Sequence, residues 1–499
     1  MLLSGANELT LNAKLYEINT RVWIKRFGNN ITLSQIPKTI FKNLAEKGIN
    51  IIWLMGIWKT CTSTIEKYCF EPSLIADYNR SLKDWSKEDV IGSPYAVDDY
   101  EVNPILGSWD ELKDLKNYLN SIGIKLMLDF VSNHFSAESK HIKDNPDIFL
   151  KAGEEYFAND SFTFFKPDHD PNNVYAHGRD PFYPAWTDTI QVNFFSKHAR
   201  KFMTDVLCNL TDVCDGVRCD MAVLPLNNVF HNTWLGLLNK YGFTKPEVEF
   251  WKEAISEVKR KRADFIFLAE AYWDLEWNLQ QLGFDYTYDK RLTERLATND
   301  LAGVLAHLSA EKSFQLKSAR FIENHDEPRA VTRFGKQRSL AAATVISTLQ
   351  GLKFYHDGQF EGKKIKLPLQ LGREPDEKVC EPIRNYYDKL LAITKSDIFD
   401  KGEWSILKPI SIGYGNTSFE NFFAWQWTLN SERRIIVINY SYITSQCRLK
   451  LDIGCERKKI SIVDLLTGEI YERWVDELNN PGLYIELKAH QSHIFSLNC

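Results

Sequence analysis

The chain has 499 residues, of which 44% are hydrophobic and 25% are charged, close to the averages for soluble globular proteins. Its formal net charge is −5 and its basic residues follow no periodic stripe, which argues against a nucleic-acid partner. The strongest apolar run covers only residues 51–58. Because a membrane-spanning helix needs about 20 apolar residues, we expect no membrane partner either.

The N-terminal residues 1–14 lack the basic start and the long apolar run of a secretory signal. The nine cysteines contain no C-x-x-C pair. Cys208, Cys214 and Cys219 fall on a predicted helix and on the strand after it, where small buried hydrophobic residues are expected. These observations predict a reduced protein located in the cytoplasm.

Short apolar runs alternate with segments of helical period from about residue 15 to residue 396. The runs predict eight strands, at residues 15–18, 50–57, 125–131, 215–221, 264–271, 284–288, 320–324 and 352–355. The clearest helical periods lie between them, at residues 37–47, 108–122, 196–210 and 339–348. Eight such alternating units predict an α/β fold, a closed (β/α)8 TIM barrel.

Two connections are too long for simple crossovers and leave the barrel at its C-terminal face, where barrel enzymes build their sites. One covers residues 58–95. The other, residues 135–193, is rich in Pro, Asp, Asn and aromatic residues, and we interpret it as an inserted subdomain. The barrel is therefore assigned to residues 1–134 and 194–398.

The helical period stops near residue 400, and short alternating runs follow. They predict strands at residues 422–427, 434–440, 448–453, 459–465 and 483–487. Residues 399–499 are therefore predicted to form a separate antiparallel β-sandwich domain.

Ionisable residues stand at the ends of predicted strands three, four, five and seven. Arg218 and Asp220 lie two positions apart on one strand and so share a face, where the arginine would keep the carboxylate ionised. Glu270 follows a wholly apolar strand, and partial desolvation there favours the protonated form that a general acid needs. Each group alone could be a solvated loop residue or half of an ion pair, but four of them converge on one end of one barrel.

At these strand ends the sequence resembles the α-amylase superfamily of glycoside hydrolases and transglycosidases, glycoside hydrolase family 13. The resemblance covers almost the whole chain. It rests on four ordered blocks and one upstream segment: DFVSNH at 129–134, GVRCD at 216–220, FLAE at 267–270, ENHD at 323–326 and SPYAVDDY at 93–100.

The resemblance implies a role for each matching residue. It makes Asp220 the nucleophile, Glu270 the general acid/base, and Asp326 the third carboxylate, which binds sugar hydroxyls and stabilises the transition state. It also implies a substrate-binding set: Arg218 supporting the nucleophile, Tyr95 stacking on the reacting sugar, and His134 and His325 holding its hydroxyls.

Five residues near the end of the inserted subdomain could line the cleft or pack its small core, and the sequence leaves both readings open: Phe182, Tyr183, Trp186, Gln191 and Asn193.

The sequence departs from many α-amylases directly after the predicted nucleophile. Met221 and Ala222 stand where a Lys-His pair is common, which removes an acceptor contact and a backbone contributor to the usual calcium site. Asn133 remains a possible ligand, but we expect no cofactor and no bound metal. Segment 356–362, HDGQFEG, follows strand eight and has no role that the sequence explains.

The resemblance implies a retaining hydrolase that acts on α-glucosidic bonds of oligosaccharides or α-glucans. A transglycosidase of the same family would use the same residues. A catalytically inactive glycan-binding protein is a further alternative, although such proteins are expected to lose a carboxylate and here all three are present. A metal-dependent barrel lyase fits poorly because it leaves the ordered blocks unexplained.

Overall fold

Eight parallel strands close into a barrel in the computed structural model, which describes residues 12–454 and 456–498. They are β1 (Lys14–Asn19), β2 (Ile51–Met55), β3 (Lys125–Val131), β4 (Gly216–Asp220), β5 (Ile266–Ala269), β6 (Tyr286–Tyr288), β7 (Ser318–Arg320) and β8 (Leu352–His356). Each strand pairs with its neighbours in chain order, and β8 pairs with β1. The predicted (β/α)8 barrel is confirmed. Residues 1–11 of the N-terminal segment considered above lie outside the described residues.

Helices connect the strands, and all four predicted helices are present. The helices of seven or more residues are Lys38–Glu46, Pro72–Ser81, Trp109–Ser121, Lys197–Leu210, Asn227–Lys240, Phe250–Lys261, Glu276–Leu282, Lys290–Thr298, Leu301–Leu308, Lys336–Thr348 and Glu381–Thr394. The shorter ones are Thr20–Trp23, Ile65–Tyr68, His141–Asp144, Glu154–Asn159, Lys312–Leu316, Ala330–Phe334, Ile398–Lys401 and Val475–Glu477. No helix in the described ranges is both long enough and apolar enough to cross a bilayer.

Strand alternation divides the barrel into an inner and an outer core. Leu15, Trp53 and Met127 belong to a buried cluster inside the barrel, whereas their neighbours pack outward in the larger cluster beneath the helices. Arg218 and Asp220 lie on the inward-facing positions of β4. The alternation therefore brings polar groups to the inner end of a mostly apolar barrel.

The seventh strand differs from its prediction. The sequence places it at residues 320–324, but the ladder covers Ser318–Arg320. Phe321 and Ile322 are buried in the inner and outer clusters, so their hydrophobicity reflects burial and not strand pairing. The fourth sequence block therefore belongs to a loop.

Both long connections form small sheets. In the first, Trp58–Thr60 pairs antiparallel with Val97–Val102. In the second, His134–Ser136 pairs with Thr189–Gln191. A three-stranded sheet within the second connection is formed by Lys151–Ala152, Val174–Ala176 and Phe164–Phe165.

The C-terminal region forms two antiparallel sheets that share a core. The strands are β9 (Glu403–Ile406), β10 (Phe422–Leu429), β11 (Glu432–Asn439), β12 (Ser445–Leu449), β13 (Lys459–Asp464), β14 (Ile470–Trp474), β15 (Leu483–Leu487) and β16 (Ser492–Asn498). One sheet has the order β9-β10-β11-β16-β13-β14, and β12 pairs with β15 in the other. Four of the five predicted strands are present, and the one predicted at residues 448–453 overlaps β12 only at residues 448–449. The sequence prediction missed the central strand β16 and the edge strands β9 and β14. The two edge strands are too exposed to show an alternation of hydrophobic and polar residues.

Two buried tryptophans of β10 join this region to the barrel. Trp425 Nε1 donates to Thr348 Oγ1 at 3.2 Å, and Trp427 Nε1 donates to the Thr348 carbonyl at 2.6 Å. Thr348 is the last residue of the helix that precedes β8. The terminal domain therefore packs against the barrel through specific, fully buried contacts.

We expect Trp427→Ala to lower the free energy of unfolding by about 3–5 kcal/mol, because it leaves a cavity and an unpaired carbonyl. Trp474→Ala is the matched control, since Trp474 is 53% exposed and its loss should change the free energy by less than about 0.5 kcal/mol. Urea denaturation measures both. Equal losses in the two variants would contradict the importance of the contact.

Candidate active site

The site is organised around Arg218, a fully buried arginine on β4. Its Nη1 donates to Asp220 Oδ1 at 2.6 Å. Its Nη2 lies 2.7 Å from Glu270 Oε2, in an ion pair without hydrogen-bond alignment. One guanidinium thus contacts two carboxyl groups that stand at the ends of neighbouring strands.

Three aromatic rings surround this guanidinium. The centroids of Trp53, Tyr95 and Tyr288 lie 5.1, 5.4 and 5.6 Å from the Arg218 Cζ atom. The Tyr288 hydroxyl also accepts a hydrogen bond from Arg218 Nε at 3.2 Å. Ring faces favour a cation and exclude water, so they help to hold the buried charge.

Burial changes the expected protonation of Asp220. Burial raises the pKa of Asp220 to about 7, Arg218 opposes this rise, and the nearby charge of Glu270 adds to it. The sequence prediction that Arg218 keeps this carboxylate ionised therefore considered only the smaller, opposing influence.

Glu270 is held by hydrogen bonds at both of its oxygens. Oε2 accepts from the backbone N–H of Met221 at 2.7 Å, and Oε1 accepts from the Tyr272 hydroxyl at 2.7 Å. Burial, together with the charge of Glu270, raises the pKa of Tyr272, so its hydroxyl stays a donor. The carboxyl group is therefore fixed in one orientation.

His325 links the fourth block to the first strand. Its Nδ1 is hydrogen-bonded to the fully buried carboxylate of Glu17. Its Nε2 lies 2.9 Å from Asp326 Oδ2 and 2.9 Å from the Tyr95 hydroxyl. Burial alone would lower the pKa of His325, but Asp326 and Glu17 outweigh it and raise the pKa to about 10.

Asp326 is the complementary anion of this pair. Burial tends to raise its pKa, but the charge and hydrogen bond of His325, with further help from Arg218 and Lys366, lower it below the ordinary value. Its side chain is 39% exposed and is therefore accessible to solvent. His325 and Asp326 together therefore present a cation beside an accessible anion.

His134 is buried and lies beside the backbone of Tyr95. Burial lowers the pKa of His134 to about 3, although a hydrogen bond to the Tyr95 backbone opposes this effect. Its ring lies 5.3 Å from that of Trp186. His134 is therefore a neutral group between Tyr95 and the inserted subdomain.

A cleft of about 430 Å³ opens on the Glu270 side of the site. Its lining includes Tyr183, Trp186, Met221, Tyr272 and Trp273. The aromatic residues of the inserted subdomain thus reach the cleft, and the exposed Phe182 contacts Trp273 edge-on at 5.0 Å. In contrast, Gln191 and Asn193 are buried in the core.

Asn133, the candidate calcium ligand, is already paired. Its Oδ1 accepts from Gln191 Nε2 at 2.9 Å and its Nδ2 donates to Gln191 Oε1 at 3.2 Å. In the described part of the chain, no group of three or more His, Cys, Asp or Glu side chains is arranged to hold a metal ion. Both polar atoms of the Asn133 side chain are thus hydrogen-bonded to Gln191.

The sequence prediction missed Glu17 and Tyr272 as parts of the site, and it gave Asp129 no role although this residue opens the first block. Asp129 accepts from Trp53 Nε1 at 3.1 Å and from the Gly56 N–H at 2.8 Å, and burial raises its pKa to about 6. The alternation of side chains along a strand could have found Glu17. It lies two positions after Leu15 on a predicted strand and therefore shares the inward face with it. No sequence period indicates Tyr272, which lies in a loop.

Comparison with known proteins identifies the family. Residues 41–380 match the family model described as alpha amylase, catalytic domain. The chain belongs to the α-amylase family. The maltogenic α-amylase AmyB of Thermotoga neapolitana shares the fold of this family member at a TM-score of 0.69 with 19% identity, covering 98% of this chain and 99% of that one.

Two sequence relatives illustrate the range of the α-amylase family. Alpha-amylase 3 of Dictyoglomus thermophilum is 22% identical over 304 residues, covering 58% of this chain and 56% of its own length. Alpha-1,4-glucan:maltose-1-phosphate maltosyltransferase 1 of Streptomyces coelicolor is 24% identical over 413 residues, covering 77% of this chain and 54% of its own. The chain thus spans about half the length of these relatives.

We expect Glu17→Gln to lower the pKa of His325, because Asp326 would then be the only one of its two carboxylate partners left to stabilise the imidazolium. NMR of the imidazole nitrogens across pH measures this pKa. In the variant, His325 should deprotonate at a lower pH than in the original chain, where its pKa is raised to about 10. Glu138→Gln is the control, since Glu138 is also buried and none of its contacts involve His325. An unchanged titration in Glu17→Gln would contradict the role of Glu17.

We also predict that removing calcium with EDTA shifts the thermal unfolding midpoint by less than about 2 °C, since Asn133 is paired with Gln191. The measurement is a thermal scan before and after dialysis. A larger fall that added calcium reverses would contradict this prediction.

Proposed function

We propose that this protein is a retaining glycoside hydrolase that acts on α-glucosidic bonds of oligosaccharides or α-glucans. The observation that carries the proposal is the pair of carboxyl groups, Asp220 and Glu270, on one buried guanidinium at the mouth of the barrel. Membership of the α-amylase family supports it, since relatives are named α-amylase, cyclomaltodextrin glucanotransferase and oligo-1,6-glucosidase.

In the first step, an Asp220 oxygen attacks the anomeric carbon of the sugar. The bond from that carbon to the leaving oxygen breaks, and Glu270 gives its proton to this oxygen. The products are a covalent glycosyl–Asp220 ester and a free sugar hydroxyl. Retaining glycosidases hold the two carboxyls about 5–5.5 Å apart, and contact with a single guanidinium is compatible with such a spacing.

In the second step, ionised Glu270 takes a proton from a water molecule. The water oxygen attacks the anomeric carbon, and the bond to Asp220 breaks. Two inversions give net retention, and both carboxyl groups return to their starting states. The hydrogen bonds from Met221 and Tyr272 keep Glu270 oriented through both roles.

The remaining predicted residues would bind the reacting sugar. The negative charge of Asp326 would favour the positive charge that develops on the sugar ring, and charged His325 would donate to a hydroxyl. Tyr95 would pack against the ring, with neutral His134 at its other side. Such groups favour the transition state over the ground state when they are held rigidly. The contact between Glu17 and His325 holds the imidazole in place.

A transglycosidase is the second candidate. The match to the maltosyltransferase covers 77% of the chain, and the aromatic cleft beside Glu270 could hold an acceptor sugar in the place of water. The catalytic steps would be the same, with an acceptor hydroxyl deprotonated by Glu270.

We also propose a reducing, cytoplasmic compartment. The seven cysteines in the described part of the chain are all free thiols, which supports the proposal.

The proposed function predicts early α-anomer in proton NMR spectra of the protein with maltoheptaose. Products longer than the substrate would favour the transglycosidase, and early β-anomer would contradict the mechanism. We expect Asp220→Asn to reduce turnover at least about a thousandfold because it removes the nucleophile. Asp212→Asn, a surface carboxylate that is 57% exposed, should retain full activity.

A further inference from the structure

The loop after β8 is tied across one side of the barrel mouth. We call residues 363–375 the strap. Arg21 Nη2 donates to the carbonyls of Leu369 and Gly92, each at 2.9 Å, and so joins the strap to the loop after β2. Backbone hydrogen bonds continue this junction, from Ile91 N–H to the Gln370 carbonyl at 2.8 Å and onward along the strap.

Charged side chains fasten the strap at its other edge. Arg26 Nη2 lies 2.5 Å from Asp357 Oδ2, and Arg26 Nε lies 2.5 Å from Glu374 Oε1. Lys363 Nζ donates to Glu374 Oε2 at 2.6 Å, and the Tyr16 hydroxyl donates to Asp357 at 3.1 Å. Segment 356–362, which had no explanation from sequence, thus supplies the anchor Asp357.

The strap leaves almost no space beside His325. The cavity between them has a volume of about 30 Å³, and its lining includes Asn324, His325, Arg26 and Lys366. That volume suits one or two water molecules, whereas sites for small molecules usually measure about 300–1,000 Å³. The aromatic cleft lined by Met221 and Tyr272, which both contact Glu270, has about 430 Å³.

The proposed mechanism determines which end of the substrate lies in each cavity. Glu270 protonates the leaving oxygen, so the leaving group and its reducing end extend over Met221 and Tyr272, which contact Glu270. The sugar attacked by Asp220 stays behind, and any further residue on its non-reducing side would have to pass the His325 and strap side. On that side, the cavity between His325 and the strap measures only about 30 Å³.

We infer that the strap makes this a chain-end enzyme, which removes or transfers a single glucosyl unit from the non-reducing end of its substrate. The inference rests on the proposed function and adds the position of cleavage. Arg26, Asp357 and Glu374 are specificity-determining residues in this reading, because their ion pairs hold the strap closed.

The test uses the whole protein with two substrates that differ only at one end. One is p-nitrophenyl α-maltoheptaoside, and the other carries a 4,6-O-ethylidene block on its non-reducing terminal sugar. We expect glucose and the six-sugar glycoside as the first products from the open substrate. The blocked substrate should react at least about 100-fold more slowly, because its terminal group does not fit under the strap.

Loosening the strap should relax the discrimination. We expect Arg26→Ala to raise the rate on the blocked substrate about tenfold relative to the rate on the open one, because it breaks both ion pairs. Arg384→Ala is the matched control. Arg384 pairs with Glu361 of the same loop at 3.9 Å but does not line the cavity, so the ratio of the two rates should stay unchanged.

The outcomes distinguish a failure of the chain-end inference from a failure of the proposed function. Equal rates on open and blocked substrates, or maltose as the first product, would overturn the chain-end inference and leave the proposed function in place. If neither substrate reacts, and maltose and isomaltose are also left intact, the proposed function itself is wrong. A slow blocked substrate whose rate ratio is the same in Arg26→Ala would refute the role of the strap's ion pairs.

Discussion

The site depends on a single buried cation. Arg218 has no access to water, and a charge in such a place must be matched by nearby anions and polarisable groups. Asp220 and Glu270 supply the anions and three aromatic rings supply the rest. Because the arginine cannot move without losing these partners, its contacts help to fix both carboxyls at the ends of β4 and β5.

A second charged cluster depends on the first only indirectly. Glu17 and Asp326 hold His325 between them, and Tyr95 stacks on its ring with centroids 5.5 Å apart. Tyr95 also faces Arg218, so one phenol ring separates the two cationic groups. This arrangement keeps two positive charges close to one pocket while each is neutralised by its own carboxylates.

Sequence reasoning predicted the barrel and the C-terminal sheets from periodicity, and the structure confirms both. The catalytic trio, which the family resemblance implies, stays a prediction. Alternation alone indicated that Arg218 and Asp220 share a face, and the structure has them in contact. It did not reveal that Glu17 binds His325, since the two residues are 308 positions apart and only barrel closure brings them together. It also placed the seventh strand too late, because buried hydrophobic residues after Arg320 look like strand residues.

The short seventh strand has a consequence for how such a site can diversify. Because the ladder stops at Arg320, the chain beyond it is shaped by side chains, with Asn324 Oδ1 accepting the backbone N–H groups of Asp326 and Glu327 at 3.0 and 2.9 Å. The half of the pocket near Asp326 is thus built by loops, whereas the half near Asp220 is built by strands. Loop residues near Asp326 can therefore change while the contact between Arg218 and Asp220 inside the barrel keeps its geometry.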